Sequence, residues 1–179
     1  VQVAGKDNLR QQSAIWQAML MSAELPNSKQ IFIHGFITSN GQKMSKSLGN
    51  VINPFDLIKK YGVDAVRYYL LREIPPADDG DYSEKRMNEV YNSDLANELG
   101  NLVMRITTLA EKDGLEIKSN NNQQFDNETM KQFESFQFNL ILESIWNKIK
   151  KLNKQTDDFA PWKKTSQERK EFLTKSLNE

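Results

Sequence analysis

Cysteine is missing from all 179 residues. No disulfide can staple the fold, and no thiolate can hold zinc. Histidine occurs once, as His34, so a histidine-cluster metal site is excluded and no metal site is expected in this chain. No apolar run approaches the roughly 20 residues that a bilayer span requires, and no membrane partner is expected. The chain starts at Val1, with no leader-like segment after it. A processed chain or a piece of a longer protein is expected, in a reducing, cytoplasmic setting.

Neither sign of charge dominates: 24 Lys and Arg stand against 24 Asp and Glu. That balance argues against a uniformly basic nucleic-acid binder. The charges are segregated, however. Between Gly41 and Arg72, Lys43, Lys46, Lys59, Lys60, Arg67 and Arg72 outnumber Asp56 and Asp64. Between Glu73 and Glu98, eight acids face only Lys85 and Arg86. The basic stretch suits phosphates while the acidic one restores neutrality. Charge alone, though, favours solvated surface for both.

Residues 9–23 carry good helix formers without Gly or Pro, and Leu25-Pro26-Asn27 ends that helix. QIFIHGFI at 30–37 is short, β-branched and aromatic, and predicts a buried strand. A helix feeding such a strand is half of an α/β repeat. Asn40-Gly41 predicts a turn and Asn53-Pro54 a helix start. Tyr61-Gly62 stops that helix, and Asp64 is placed to cap the next, over 64–73. Pro75-Pro76 breaks it, and Ala77-Asp78-Asp79-Gly80-Asp81 predicts a turn. From about 84 the pattern is helical throughout. The polar stretch 118–124 predicts a loop, and 127–153 resumes helical spacing through Leu142, Ile145, Ile149 and Leu152. An interruption follows at Asp157–Pro161.

The segment Gly41-Gln42-Lys43-Met44-Ser45-Lys46-Ser47-Leu48-Gly49 is the most informative. Two lysines lie three apart, hydroxyls alternate with them, and glycines flank the group. An ammonium on a flexible stem can follow a phosphate that moves during a reaction. Hydroxyls and backbone N–H groups add donors, and the glycines permit the loop to swing. An arbitrary pair of lysines at this spacing would read as surface. All five letters of KMSKS are present here, after an expected α/β strand and before a short helix.

KMSKS is the signature loop of class I aminoacyl-tRNA synthetases, and the flanks narrow the likeness. Gly5-Lys6-Asp7, Trp16, FIHGF, GQKMSKSLGNVI, YGVDAVRYYLLREIP and DGDYS together resemble methionyl-tRNA synthetases, from Gly5 to about Leu109 and again from Phe136. The resemblance implies ATP as a substrate, with magnesium, and catalysis by charge stabilisation as pyrophosphate leaves. It implies catalytic roles for Lys46 first and Lys43 second. It implies ATP contacts from Gly5, Asp7, Ile37, Lys43, Met44, Ser45, Lys46 and Ser47. Asp7 would hold the ribose and the Ile37 backbone the adenine. A carboxylate suits vicinal hydroxyls; helix capping is the bland alternative for Asp7. Asn8 and Gln12 fall in the methionine pocket, Gln12 where the family carries histidine. His34 is expected to be a packed, satisfied residue.

Further on, Leu99, Val103, Ile106 and Ala110 predict the core stripe of a helix over 97–112. Asn101 and Arg105, four apart, share the opposite face with Thr108 and Lys112. A solvated face is the default for such residues, and a core anchor is the default for Trp162. The resemblance assigns Asn101, Arg105 and Trp162, within Ala160-Pro161-Trp162, to the anticodon of tRNA(Met). Splayed bases can stack on an indole and offer their open edges to a guanidinium. Lys148, Lys150, Lys151 and Lys154 are equally consistent with phosphate contacts or a solvated face.

The expected architecture is an α/β remnant, the end of a Rossmann catalytic fold (1–40), then a KMSKS and stem-contact region (41–82). A mostly α-helical anticodon-binding bundle (83–179) completes it. The expected function is ATP-dependent activation of methionine and its transfer to tRNA(Met); a non-catalytic tRNA-binding module derived from a synthetase is the alternative. One histidine cannot supply the HIGH-type motif of the class, so these residues alone are not expected to aminoacylate.

Overall fold

The structure is a computed structural model that describes residues 1–116 and 124–176. Of the loop expected at 118–124, only Gln124 lies among the described residues. The chain divides into two compact units, Val1–Met87 and Asn88–Glu179.

The first unit opens with a complete parallel crossover. Strand β1 (Gln2–Gly5) pairs with β2 (Ile31–His34), from Gln2 opposite Ile31 to Gly5 opposite His34. Parallel neighbours need a long crossover. Here it consists of a short turn, Lys6–Asn8, a wide helical turn, Gln11–Ile15, and α1 (Trp16–Ser22). Strand β1 was not expected; four residues at the chain start give too little alternation to read.

The single buried strand expected over 30–37 is in fact two. Chain and sheet both break at Gly35-Phe36, and β3 (Ile37–Ser39) belongs to a second sheet of order β4-β3-β5. Gly35 explains the step. A Cβ there would lie 2.1 Å from the carbonyl oxygen of Asp78, so only glycine lets the two backbones approach. Most of the stretch is only partly covered; of residues 30–37 Gly35 alone is buried. Asn40 and Gly41 take φ 52° and 75°, the left-handed pair that closes a two-residue hairpin. They join β3 to β4 (Gln42–Lys43).

The segment expected as a turn at 77–81 instead ends in β5 (Gly80–Tyr82), parallel to β3. Its cause is tertiary: the Ile74 side chain covers Gly80, which tolerates no Cβ. Helix α2 (Pro54–Tyr61) begins where expected, with the Asn53 side chain accepting from the Phe55 N–H at 3.0 Å. Helix α3 (Val63–Glu73) differs in its cap. Gly62, at φ 85°, precedes it without a side-chain bond, and Asp64 lies inside the first turn rather than capping it. Ala65, Val66, Tyr68 and Tyr69 of α3 are buried. Tyr69 meets Tyr82 edge-on at 5.5 Å, and burial pushes the Tyr82 hydroxyl up to about 12.

Helix α4 (Glu84–Val90) leads into wide turns over Tyr91–Gly100, then α5 (Asn101–Lys112). The buried residues of α5 are Leu102, Ile106 and Ala110; Val103, expected in the stripe, is 50% exposed. The wide turns change the phase that a regular helix would carry from Leu99 into α5. The expected continuous helix over 127–153 is likewise divided, into α6 (Asn127–Glu134) and α7 (Phe138–Phe159). Phe136, at φ 60°, makes the break, and its ring packs on Phe138 at 6.1 Å. Of the expected α7 stripe only Ile149 is buried; Ile141, Trp146 and Thr156 complete the buried set. Helix α7 passes through Asp157 and Asp158 and ends at Ala160, whose φ is 49°.

Helix α8 (Ser166–Ser176) is tied to the end of α5 by one buried ion pair. Arg169 Nη2 donates to Asp113 Oδ1 at 2.6 Å, with side chains 10% and 4% exposed. The Arg169 guanidinium, aided by the Ser166 hydroxyl, holds the Asp113 carboxyl down at about 2. A depressed carboxyl stabilises the fold above its unfolded value, near 4. That contribution is lost as pH falls from about 4 through about 2. Arg169→Met leaves Asp113 buried and unpaired. It is expected to lower the Tm of this unit by at least about 10 °C at neutral pH. Thermal melts between pH 2 and 7 check both statements. Among the described residues no helix is long and apolar enough to cross a membrane.

Candidate functional site

In the first unit the hairpin of β3 and β4 delivers the lysine loop. Asp81, on β5, grips the turn: its Oδ1 accepts from Thr38 Oγ1 at 2.6 Å and from the Gly41 N–H at 2.7 Å. Asn50 closes the loop across its base. Its Oδ1 accepts from the Ser45 N–H at 2.8 Å and its Nδ2 donates to the Lys43 carbonyl at 3.2 Å. Ser45 caps the short turn Lys46–Leu48 by accepting from the Ser47 N–H at 3.3 Å. Its hydroxyl also lies 2.7 Å from that of Ser47. Gly49 finishes the turn at φ 65°. The loop is therefore a preformed structure, and both glycines take left-handed turns. Met44 and Ser45 are half-buried, while Lys43, Lys46 and Ser47 are exposed.

The Gly5–Asp7 turn sits at the end of β1. A Cβ on Gly5 would lie 2.8 Å from Asp7 Oδ1 and 3.7 Å from His34 Cε1. Gly5, Asp7 and His34 are thus neighbours. Asp7 does not cap a helix; it lies within the turn Lys6–Asn8, which has no side-chain cap. Asn8 Nδ2 donates to Asp7 Oδ1 at 3.3 Å. His34 is exposed rather than packed, and its Nδ1 lies 2.8 Å from the Gly35 carbonyl. Gln12 is half-buried, and its carbonyl accepts from Gln17 Nε2 at 2.8 Å.

One ring joins the two motifs. Lys6 Nζ stands 4.5 Å and Lys43 Nζ 4.7 Å from the centroid of Phe36. Asp79 bonds Lys6 Nζ through both carboxylate oxygens, each at 2.6 Å, and accepts from the Phe36 N–H at 2.7 Å. The Lys6 ammonium, then the Phe36 N–H, hold the Asp79 carboxyl below its ordinary range. Neither Phe36 nor Asp79 was singled out from sequence. Nothing in FIHGF or DDGD marks them before the strands are placed. Among the described residues no cluster of three potential metal ligands forms.

In the second unit the Arg105 guanidinium lies over the Trp162 ring, 5.1 Å from its centroid. Arg105 Nη2 also donates to Asp157 Oδ1 at 2.6 Å, with the Arg105 side chain 31% exposed. Trp162 is half exposed because Pro161, beside it, is the buried anchor. Asn101, one turn before Arg105, is exposed. The structure thus brings Arg105 and Trp162 together on an accessible surface and adds Asp157. The interruption expected over Asp157–Pro161 falls at Ala160-Pro161, which leaves Asp157 on the last turn of α7, and nothing in the sequence marks its pairing with Arg105. Glu98, whose carboxylate is 3.8 Å from Lys150 Nζ, accounts for one lysine of α7.

Residues 1–107 match the family model described as "tRNA synthetases class I (M)", and the chain belongs to that family. It is 45% identical over 175 residues to the methionine–tRNA ligase of Fusobacterium nucleatum, covering 90% of this chain and 28% of that protein. With the Synechocystis methionine–tRNA ligase the identity is 43%, covering 89% of this chain and 32% of the relative. Among solved structures, Mycobacterium tuberculosis methionyl-tRNA synthetase in complex with methionyl-adenylate superposes with a TM-score of 0.82 at 35% identity. That match covers 97% of this chain and 38% of the other. The chain spans about a third of the length of these relatives.

Proposed function

We propose that this chain is the lysine-loop and anticodon-reading portion of a methionine–tRNA ligase. The observation that carries the reading is the convergence of the Gly5–Asp7 turn and the KMSKS loop on Phe36. Two sequence motifs 35 residues or more apart, each suited to part of one nucleotide, share a single ring. In this reading residues 1–40 end a Rossmann catalytic fold, 41–82 carry the loop and the stem-contact region, and 83–179 read the anticodon. Asp7 and Gly5 take the ribose, and the Ile37 backbone takes the adenine. Asn8 and Gln12 face methionine. Met44, Ser45 and Ser47 support the lysines against the triphosphate.

The chemistry follows from charge. A methionine carboxylate oxygen attacks the α-phosphorus, the bond to the bridging oxygen breaks, and pyrophosphate leaves. Negative charge grows on the departing oxygens, where Lys46 and Lys43 stabilise it. The terminal adenosine hydroxyl of tRNA(Met) then attacks the activated carbonyl and AMP leaves. Magnesium enters as the counter-ion of ATP, ligated by phosphate oxygens. At the other unit, Trp162 offers a stacking face, and Asn101 and Arg105 offer donors to base edges. A cytoplasmic setting fits this reading.

The test is methionine-dependent exchange of pyrophosphate into ATP by the complete protein that carries this chain. Exchange with methionine and none with leucine, isoleucine or valine is expected. No exchange with any amino acid sinks the enzyme reading in favour of a tRNA-binding module. The 179 residues by themselves are expected to give no exchange, and any measurable rate from them overturns the division of labour proposed here.

A further inference from the structure

The two ammonium groups on Phe36 are held very differently. Lys6 is fixed by both oxygens of Asp79 as well as by the ring. Asp79 in turn fixes the backbone that carries the ring, because it accepts from the Phe36 N–H. Lys43 has no carboxylate partner among the described residues; its one side-chain contact is the ring face. It shares that ring with Lys6, but only Lys6 has a carboxylate to hold it there. A cation on a half-buried ring at the surface gains only a modest attraction, whereas an ammonium bonded to phosphate makes a charge-assisted hydrogen bond. Lys43 is therefore the cation that yields when a triphosphate arrives.

We propose that Phe36 is a positioning residue for Lys43: its ring is the resting seat of the loop's first ammonium, which Lys43 leaves for ATP. The inference rests on the functional reading above. It adds that the empty enzyme parks this charge on an aromatic face, in competition with the nucleotide. Lys6 and Asp79 keep the seat in place when Lys43 departs, so the hairpin need not rearrange. The carbonyl of Lys43 remains tied to Asn50, and only the side chain has to swing.

The competition gives the test its sign. In the complete enzyme, Phe36→Leu removes the seat. The KM for ATP in pyrophosphate exchange is expected to fall about 2- to 5-fold. Phe36→Tyr keeps a ring face and is expected to return KM to the wild-type value. General damage to the fold moves KM the other way and lowers kcat. A KM that is unchanged or raised in Phe36→Leu overturns the proposal. A second measurement does not depend on that variant folding. With 13C-methyl groups on the lysines of the wild-type enzyme, the Lys43 signal, assigned through Lys43→Arg, is expected at ring-shifted positions. It should move to ordinary ones when ATP and magnesium are added. A Lys43 signal that is unshifted, or indifferent to ATP, also overturns it. Absence of any exchange in the wild-type enzyme is a different failure: it removes the synthetase reading and leaves the ring-shifted signal unexplained by it.

Discussion

Lys46→Ala in the complete enzyme is expected to lower kcat for methionine-dependent pyrophosphate exchange about 10²- to 10³-fold, the usual cost of one donor to developing charge. Three features of Lys46 support the proposed role. It is exposed, it opens the short turn that Ser45 caps, and no ion pair among the described residues occupies it. The backbone under it is already set by Asn50 and Gly49, so little reorganisation is needed when it engages phosphate. The loss should fall on kcat rather than on the KM for ATP, because the charge that Lys46 meets grows only as pyrophosphate departs. Lys46→Arg keeps the charge but exchanges a point ammonium for a planar fork, and should recover part of the rate. Burst measurements of adenylate formation separate this step from product release. A kcat within about threefold of wild type in Lys46→Ala would remove the lysine from the mechanism.

The second large effect is expected at the other unit. Trp162→Ala should lower kcat/KM for tRNA(Met) about 5- to 150-fold, the range for loss of one base stacked on an aromatic ring. Exchange of pyrophosphate in the absence of tRNA should change little, since in the proposed reading that reaction does not use this surface. Trp162 is half exposed with Pro161 buried beside it, so truncation removes an accessible face rather than a core anchor. Arg105→Ala acts on the same stack. It frees Asp157, which in the proposed reading then faces RNA without its cation. The two substitutions share the contact at 5.1 Å, and their combined loss should be smaller than the product of the single losses. Wild-type protein should lose affinity for the same tRNA carrying a changed anticodon, and Trp162→Ala should discriminate less between the two. Equal binding of both tRNAs by the wild type would sink the assignment.

What could be read from the chain itself was local chemistry. KMSKS, Asn40-Gly41, Asn53-Pro54 and Tyr61-Gly62 each act through their immediate neighbours. The left-handed turn and the side-chain cap appear at the residues that announce them. The pairing of Arg105 with an exposed Trp162 was foreseeable only through resemblance, because the two are far apart in sequence. Failures came where distant segments meet. Gly35 divides one apparent strand into two because the Asp78 carbonyl allows no Cβ there. Gly80–Tyr82 becomes a strand because β3 is available to pair with it. Val103 gave way to Leu102 because wide turns ending at Gly100 shift the helical phase.

The sequence by itself determined which groups are available to the proposed chemistry: two loop lysines, a carboxylate after Gly5-Lys6, an indole and a guanidinium. Within these 179 residues it left no thiolate and one histidine for a metal. Only the tertiary structure decided that Lys6 and Lys43 meet on Phe36, that Asp79 and Asp81 hold that hairpin, and that Asp157 restrains Arg105. Hydrogen bonds and ring contacts between strands depend on register and on backbone approach. These are settled by the packing of residues some forty positions apart, which no local pattern encodes.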